Sequence, residues 1–388
     1  MGGPLSGVRI IDLTTVVMGP AATQLLGDLG ADVIKVESAS GDALRHVGPM
    51  HSSGMGPLFL QANRNKRSIV LDLKREEGIQ KLRELIASAD VFVSNIRPPA
   101  MARLGLDYES VSKTNSSIIY CAAVGYGEGG PYAGAAVYDD LMQAASGFAG
   151  MFQRVDGKPR YAPINFCDRV VGLYVVIAIQ AALYHRQLTG EGQEVEVPMF
   201  ETMADFVLAD HLYGHAFMPP LGGTGYPRLL SRTRGPYATR DGFLAVLVYM
   251  DAHWRRFGKI IGRPNLMEED ERFGSLQARV ENAEAVGSFL GAEMAKKTTD
   301  EWLAILKAAD IPASRVNSLE DLLVDPHLQA VGFFQEMDHP TEGKILVPRS
   351  PLRFSRTNPD IRCLAPRLGE HNSEFGIDNS QDGKVHSD

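Results

Sequence analysis

The chain has 388 residues, 44% of them hydrophobic and 22% charged, which is typical of a folded globular protein and excludes a disordered or fibrous one. Its length predicts one large domain together with a smaller one. The formal net charge of −8 argues against a general nucleic-acid binder, since phosphate backbones require a broad basic surface. The charge is uneven: residues 1–110 hold 12 basic and 12 acidic residues, so the remainder carries the whole −8.

The cysteines Cys121, Cys167 and Cys363 form no CxxC pair and are odd in number. This pattern argues against a disulfide framework and favours a reducing, cytoplasmic location. The longest apolar run, residues 170–184, has about 15 residues with Gln180 inside it, which is short for a membrane span. It predicts a buried helix and no association with a membrane.

Strand-like and helix-like segments alternate through the first part of the chain. Strands are predicted over 8–14, 32–37, 68–73, 90–95 and 117–125, with helices over 21–29 and 76–89. This βαβ order predicts an α/β fold with a mostly parallel, Rossmann-like sheet. Ligands of such sheets bind at the carboxyl ends of the strands.

The following segments predict a helix from Asp139, a hairpin near 156–157, a long helix beginning at Asp168, and a helix over 201–217. A glycine-rich loop, 221–225, then interrupts the chain. Beyond it, residues 235–249 predict a two-stranded unit, and Thr298 begins a helix with capping-box spacing to Glu301. The predicted domains are a large α/β domain over 1–225, a small α+β domain over 226–333, and a segment over 334–388 that returns to the large domain.

Two sequence patterns resemble cofactor-binding or metal-binding motifs, but neither has the neighbouring residues that such a site needs. Residues 125–130 satisfy GxGxxG after a predicted strand, but Pro131 and Gly134 follow where a dinucleotide site needs a helix, which leaves an NAD-linked oxidoreductase as a weak alternative. His211 and His215 lie four residues apart on a helix, yet no carboxylate or Cys stands at ligand spacing to complete a metal site. We therefore predict no metal and no permanently bound cofactor. GxxxxGK[ST], GxSxG and HExxH motifs are absent from the sequence.

Asp168 stands at the start of the long apolar helix. Asp in that place is either an N-cap or a carboxylate held at the positive end of the helix dipole beside a site. A carboxylate near a helix N-terminus stays ionised and is available as a nucleophile. Cys167 competes for this role, although no general base is evident for it.

Seven basic residues lie at predicted strand ends or helix starts in the first third of the chain. Each alone is an ordinary surface charge, but together they predict a site for the phosphates of a nucleotide-like molecule at the edge of the sheet. They are Lys35, Arg64, Lys66, Arg67, Lys74, Arg97 and Arg103.

Six segments in order resemble the class III CoA-transferases, the CaiB/BaiF family of formyl-CoA transferase and carnitine CoA-transferase. They are 4–13 (PLSGVRIIDL), 19–23 (GPAAT), 29–37 (LGADVIKVE), 65–74 (NKRSIVLDLK), 190–193 (GEGQ) and 368–372 (LGEHN). The resemblance implies an interlocked homodimer and transfer of CoA from an acyl-CoA to a free carboxylic acid. It also implies an aspartyl nucleophile, which falls on Asp168 and reacts through a mixed anhydride and an enzyme–CoA thioester.

The resemblance further implies a CoA site and a glycine loop that shields the acyl-enzyme. The loop falls on Gly222, Gly223 and Gly225. The CoA contacts fall on Val16, Val17, Leu71, Asp72, Leu73, Lys74, Asn95, Ile96, Arg97, Arg103, Tyr138 and Asp139.

Departures from the family pattern bear on the substrate. Val17 replaces a polar residue and Ala136 a basic one of formyl-CoA transferase, and the glycine loop is interrupted by Thr224, so another acid is expected. Arg232 and Arg234 suggest a dicarboxylic acid such as succinate. The alternatives are a 2-methylacyl-CoA racemase, although this chain has Val137-Tyr138-Asp139 in the segment where that branch carries a His-Asp pair, and an inactive CoA-binding paralogue.

Overall fold

Six parallel strands form the main sheet in the computed structural model, which describes residues 2–377. The strand order is β3-β2-β1-β4-β5-β6, the Rossmann order, and it confirms the predicted α/β class. The strands are β1 (Arg9–Leu13), β2 (Asp32–Glu37), β3 (Lys66–Val70), β4 (Val91–Ser94), β5 (Ile119–Val124) and β6 (Gln193–Pro198).

Successive side chains of each strand point to opposite faces of the sheet, so a separate hydrophobic core forms on each face. Ile10 and Val91 pack on one face, whereas their neighbours Ile11 and Phe92 pack on the other. Helices cover both faces, as a parallel sheet requires. The first six helices in chain order are α1 (Met18–Asp28), α2 (Pro57–Ala62), α3 (Glu76–Ala87), α4 (Pro98–Arg103), α5 (Tyr108–Ser112) and α6 (Asp139–Ala145).

One predicted element and the bounds of several others, including the helix predicted over 201–217, were wrong, and three of these differences bear on the site. A helix, α7 (Phe148–Asp156), replaces the predicted hairpin, and Gly147 and Gly157, both at φ 86°, bound it. The long helix α8 (Phe166–Thr189) begins two residues before Asp168. The third, β3, ends at Val70 because Asp72 accepts the backbone N–H of Lys74 and turns the chain.

The prediction that α8 is buried holds for only one of its sides. Val171, Val175 and Ile179 are fully buried, whereas Ile177 and Leu188 are 60% and 68% exposed. Helix α8 alone among the described helices is long and apolar enough to cross a membrane by length and composition, which is weak evidence taken singly. Its exposed side requires another explanation.

The chain forms two compact units. Unit 1 comprises Met1–Ser146, Ala162–Asp205 and the chain from Pro326, and unit 2 comprises Gly147–Tyr161 and Phe206–Asp325. Helix α9 (Met199–His211) carries the chain from one unit to the other. The domain boundaries predicted after residues 225 and 333 stay predictions, because compactness by itself does not identify parts that fold independently.

Unit 2 has a three-stranded antiparallel sheet rather than the predicted two-stranded one, because β9 (Ala313–Arg315) adds to β7 (Tyr237–Ala238) and β8 (Phe243–Val246). Helices α10 (Asp251–Ile260), α11 (Leu266–Glu269), α12 (Leu276–Glu281), α13 (Ala283–Met294) and α14 (Thr299–Ala308) enclose a core around Trp254 and Trp302. The predicted capping box of Thr298 and Glu301 is present. Helix α15 (Leu319–Leu323) ends the unit.

The C-terminal part of unit 1 begins with α16 (Pro326–Ala330) and the hairpin of β10 (Phe334–His339) and β11 (Gly343–Pro348). The chain then reaches the edge of the main sheet, where His371 donates its backbone N–H to the carbonyl of Ser68 at 3.0 Å. Asn372 accepts the N–H of Val70 at 2.9 Å. These bonds satisfy backbone groups that an edge strand otherwise leaves unpaired.

Candidate active site at the carboxyl edge of the sheet

The order of the strands reverses between β1 and β4, and this switch point is where open α/β sheets bind ligands. The loop after β1 and the loop after β4 meet there. Asn95 accepts the N–H of Thr15 at 3.1 Å and donates its Nδ2 to the carbonyl of Thr15 at 2.9 Å. Asn95, predicted to contact CoA, thus clamps the neighbouring loop.

Val16 has a φ of 72°, the left-handed region that β-branched residues strongly disfavour. The carboxylate of Asp42 accepts the N–H of Val16 at 3.2 and 3.3 Å. Lys35 in turn binds Asp42 at 3.0 Å and the carbonyl of Thr14 at 2.8 Å. These buried bonds hold the loop in its strained form, and sequence propensity gave no signal of it. Val17, which is 3% exposed, precedes the first turn of α1.

Asp168 is the third residue of α8, so the interpretation of it as an N-cap was wrong. Its backbone N–H donates to Oδ1 of Asp139 at 2.9 Å, which satisfies one of the unpaired donors of the first turn. Within residues 2–377, no hydrogen bond or ion pair engages the half-buried Asp168 carboxylate. Its oxygens are available to a substrate.

Asp139, predicted to contact CoA, is 7% exposed and lies at the start of α6. Its Oδ2 accepts the side-chain N–H of Gln143 at 2.6 Å. Gln143 also accepts the backbone N–H of Ala162 at 2.8 Å, just ahead of α8. The pair therefore positions the start of α8. Sequence reasoning missed Gln143, whose only signal is its place one turn after Asp139.

Burial and, secondarily, the negative charge of Asp139 raise the pKa of Asp168 to about 7, against a smaller opposing effect of Arg169. The expectation that this carboxylate stays ionised therefore holds fully only above about pH 7, because burial and the like charge oppose ionisation. Near neutral pH, Asp168 is divided between its two protonation states.

Cys167 is a poor competitor as nucleophile. It is fully buried, and burial raises the pKa of its thiol to about 12, with further effects of Asp139 and Asp168. Thiols react as thiolates, so a pKa this high leaves almost no reactive form at neutral pH.

Helix α8 brings the Asp168 turn to the start of α1. Gly172 lies one turn after Asp168 on the same face, about 5.4 Å along the axis. A Cβ on Gly172 would lie 3.0 Å from the carbonyl of Met18, the first residue of α1. A side chain at this position would force the two helices slightly apart, so glycine favours the close approach of α8 to the start of α1.

Three of the seven basic residues are exposed and free of ion pairs among the described residues: Lys74, Arg97 and Arg103. They follow the carboxyl ends of β3 and β4. For the other four, the predicted phosphate-binding role was wrong, because they are already bound to acidic side chains. Lys35 pairs with Asp42, Arg64 with Asp28, Lys66 with Asp12, and Arg67 with Asp32 and Glu374.

The remaining predicted CoA residues of unit 1 divide into buried and accessible ones. Leu71 is 6% exposed, Leu73 and Ile96 are half-buried, and Tyr138 is 69% exposed. Asp72 is exposed and shapes the turn after β3. Leu71 and Asp72 therefore build the edge of the sheet, whereas Tyr138 is free to contact a ligand.

The predicted glycine loop lies in unit 2. Gly222 and Gly223 are exposed, and Gly225 has a φ of 98° and donates its N–H to the carbonyl of His211 at 2.8 Å. Arg154 binds the carbonyl of Thr224 at 2.8 Å. Leu221 and Gly223 also hydrogen-bond to the backbone of Gly214, so the loop is anchored at both ends while Gly222 and Gly223 stay exposed.

The cofactor-like patterns remain without a cofactor site. No helix begins within residues 125–130, and the next one is α6, so the loop lacks the helix N-terminus that a pyrophosphate needs. His211 accepts the N–H of Tyr226 at 3.2 Å, a structural role. Within residues 2–377, no group of three His, Cys, Asp or Glu is arranged to hold a metal ion.

A Rossmann-ordered sheet with a free aspartate at its ligand edge fits many activities, and comparison with known proteins decides among them. The model of CoA-transferase family III matches residues 5–372. The chain belongs to this family. The resemblance recognised in the sequence is thereby confirmed, and the protein is a CoA-transferase that acts on CoA thioesters and carboxylic acids.

Full-length relatives support the assignment. The succinate–glutarate CoA-transferase of Agrobacterium fabrum is 36% identical over 385 residues, covering 96% of this chain and 94% of that protein. The succinyl-CoA:glutarate CoA-transferase of Mus musculus is 35% identical over 372 residues, covering 95% of this chain and 84% of that one. The crystal structure of a CAIB/BAIF family protein from Brucella suis has a TM-score of 0.80 at 32% identity and covers 97% of this chain and 99% of that one.

Proposed function

We propose that this CoA-transferase uses Asp168 as its covalent nucleophile and a dicarboxylyl-CoA, such as succinyl-CoA, as its donor. The observation that carries the proposal is the Asp168 carboxylate, half-buried at the start of α8 with no partner among the described residues. A carboxylate must have free lone pairs to act as a nucleophile. A buried carboxylate with only a structural role is instead bound by a cation or by hydrogen-bond donors.

The proposed reaction exchanges one activated acyl bond for another. The ionised Asp168 attacks the thioester carbonyl and releases CoA thiolate, which leaves a mixed anhydride. The thiolate then attacks the aspartyl carbonyl, releases the donor acid and forms an enzyme–CoA thioester. The acceptor carboxylate attacks this thioester, and the same steps in reverse give the new acyl-CoA and free Asp168. No proton is consumed and no permanent cofactor is required.

Oxyanion stabilisation in this mechanism falls to backbone N–H groups. The first N–H groups of α1, including that of Met18, lack partners within the helix, and the dipole of α1 adds positive potential there. The strained Val16 loop fixes where they lie. Removing one such donor costs about 2.7–4 kcal/mol in enzymes where it has been measured.

The CoA moiety is assigned to the carboxyl edge of unit 1, where Lys74, Arg97 and Arg103 supply the charge for its phosphates. Val16, Leu73 and Ile96 supply apolar contacts and Tyr138 an exposed ring, whereas the buried Val17 and Leu71 contribute through their backbone. Asp72, Asn95 and Asp139 contribute indirectly, because their side chains hydrogen-bond to backbone groups and fix the segments around the site. Gly222, Gly223 and Gly225 are assigned to shielding of the acyl-enzyme.

Self-association accounts for the exposed apolar side of α8. Leu173, Ile177, Tyr184 and Leu188 recur along one side of the helix, and each is more than half exposed. A contiguous apolar stripe of this kind marks an interaction surface. We assign it to a second copy of the chain in an interlocked dimer. Three unpaired cysteines favour a reducing, cytoplasmic location.

The racemase alternative lacks support in unit 1. Two-base proton transfer needs a second base, and the segment Val137-Tyr138-Asp139 has no His to supply it. An inactive paralogue is disfavoured because a free, half-buried carboxylate with a raised pKa is costly to keep without function.

Intact-protein mass spectrometry with peptide mapping tests the proposal. Wild type, Asp168→Ala and Asp140→Asn are each mixed with succinyl-CoA and glutaryl-CoA. Asp140 is the matched control, an exposed carboxylate beside Asp139. We expect a CoA or acyl adduct on Asp168 in wild type and in Asp140→Asn, and none in Asp168→Ala. Transferase turnover in Asp168→Ala would overturn the mechanism.

A further inference from the structure

Unit 2 contains a cavity of about 560 Å³ that none of the assigned roles uses. This volume is within the range of small-molecule sites. We call it the arginine pocket and define it by Arg228, Arg234, Tyr237, Tyr249 and Trp254, which lie on its wall. Of the acidic residues in the described chain, none lines it.

The charge of the pocket is uncompensated. Arg228, half-buried, stacks its guanidinium 5.0 Å from the ring centre of Tyr249, and Arg234 is exposed. Neither forms an ion pair with any residue that the structure describes. A third arginine on the wall, Arg279, is already bound to Asp251 and to the carbonyl of Phe273. The pocket thus offers two free guanidinium groups to an anion.

Neutral donors accompany these charges. Trp254 is 1% exposed, and its indole N–H has no partner in the described chain. Burial raises the pKa of the Tyr237 hydroxyl, while the charges of Arg228 and Arg234 act on that pKa in the opposite direction. Buried polar groups normally have hydrogen-bond partners, and the Trp254 indole N–H lacks one among the described residues.

The rest of the wall is apolar. Val246, Val248 and Leu290 face the cavity. The remote carboxylate of a short dicarboxylic acid matches this combination, because it can bind the two guanidinium groups while its methylenes contact the apolar wall and its other carboxylate stays free to react. A small inorganic anion would leave the apolar part of the wall unused.

We propose that the arginine pocket binds short dicarboxylic acids and sets the preference of this transferase for them over monocarboxylic acids. The inference rests on the proposed transferase function, which it extends by naming Arg228 and Arg234 as specificity residues. Arg232, which the sequence suggested beside Arg234, is not on the wall of the pocket, and its backbone N–H binds Glu284. It is therefore a matched control.

Calorimetric binding of glutarate to the full chain, without any CoA substrate, tests the pocket directly. We expect Arg228→Met and Arg234→Met each to weaken glutarate binding by about 10- to 100-fold, the loss of a charge-assisted bond, and Arg232→Met to leave it unchanged. Thermal unfolding of each variant checks folding, and the exposed Arg234 decides the test should Arg228→Met fail to fold. Equal weakening by Arg232→Met, or unchanged binding in Arg234→Met, would overturn the proposal.

Steady-state kinetics with glutarate and butyrate test the pocket independently of the aspartyl mechanism. In Arg234→Met we expect the KM for glutarate to rise at least about tenfold while kcat and the KM for butyrate stay close to wild type. Activity toward butyrate in Arg234→Met keeps the aspartyl mechanism intact whatever the glutarate result. Unchanged discrimination between glutarate and butyrate, or tight binding of inorganic phosphate with the same arginine dependence, would refute the dicarboxylate assignment.

Discussion

The backbone N–H of Asp168 donates to Oδ1 of Asp139 at 2.9 Å, so one carboxylate orients the residue that carries the other. Asp139 thereby satisfies the first turn of α8 and also sets a negative charge beside the Asp168 side chain. The first effect fixes where the nucleophile lies. The second raises its pKa, after burial, to about 7.

Replacement of Asp139 by Asn should move the acid limb of the pH–rate profile. In wild type we expect kcat/KM to fall below about pH 7, where Asp168 becomes protonated. Asp139→Asn removes a charge that raises the pKa of Asp168, so the limb should move to lower pH. Asp140→Asn, which alters an exposed neighbour, should leave it in place. An acid limb that is the same in all three proteins would contradict the assignment of Asp168 as the titrating group.

Replacement of Asp168 by Asn should stabilise the protein in a pH-dependent way. The pKa of Asp168 is about 7 in the folded chain and 3.8 in the reference state, so the folded form binds more protons between these values. Stability from this group is therefore lost as pH rises from about 4 to 7. Urea unfolding should show Asp168→Asn more stable than wild type at pH 8, with the difference shrinking toward pH 4. A constant difference would rule out the raised pKa.

Local patterns predicted most of unit 1. The alternating apolar segments predicted the strands and the class of fold, because the hydrophobic pattern within a segment is enough to predict that strand. The start of an apolar helix singled out Asp168. Its actual capping partner, Asp139, lies 29 residues away, which is why sequence favoured Asp168 itself as the cap.

The features that could not be predicted from the sequence depend on contacts between residues of different elements. Lys35 and Lys66 look like surface charges because nothing near them in sequence shows that Asp42 and Asp12 will be buried against them. The positive φ of Val16 contradicts local propensity and exists only because Asp42 holds it. The arginine pocket likewise combines residues 228–237 with helices that begin after residue 250.

Neutralising the exposed basic residues should weaken CoA binding through its phosphates. We expect Lys74→Met, Arg97→Met and Arg103→Met each to raise the KM for succinyl-CoA several-fold, with kcat little changed. Pantetheine thioesters carry no phosphate, so their KM should not respond. The effect should also diminish at high salt, because these side chains are exposed. Equal losses with both thioesters would show that the residues act on something other than phosphate.

Replacement of Lys66 by Met should destabilise unit 1 severely. Lys66 is 1% exposed, and its Nζ binds Oδ2 of Asp12 at 3.0 Å and the carbonyl of Pro20 and Oδ1 of Asn63, each at 2.9 Å. Burial raises the pKa of Asp12, but Lys66 and Lys35, with hydrogen bonds from two threonines, outweigh it and lower the pKa to about 2. Without Lys66, a buried carboxylate loses its partner.

Such a loss costs about 3–5 kcal/mol, because the remaining charge is buried without compensation. Urea unfolding of Lys66→Met should show a loss of this size in the free energy of unfolding. Lys74→Met is the control, since Lys74 is exposed, and we expect its stability to stay within about 0.5 kcal/mol of wild type. The double variant Lys66→Met, Asp12→Leu should recover part of the loss, because it removes the uncompensated charge as well. Equal stability of the two single variants would mean that Asp12 gains no net support from Lys66.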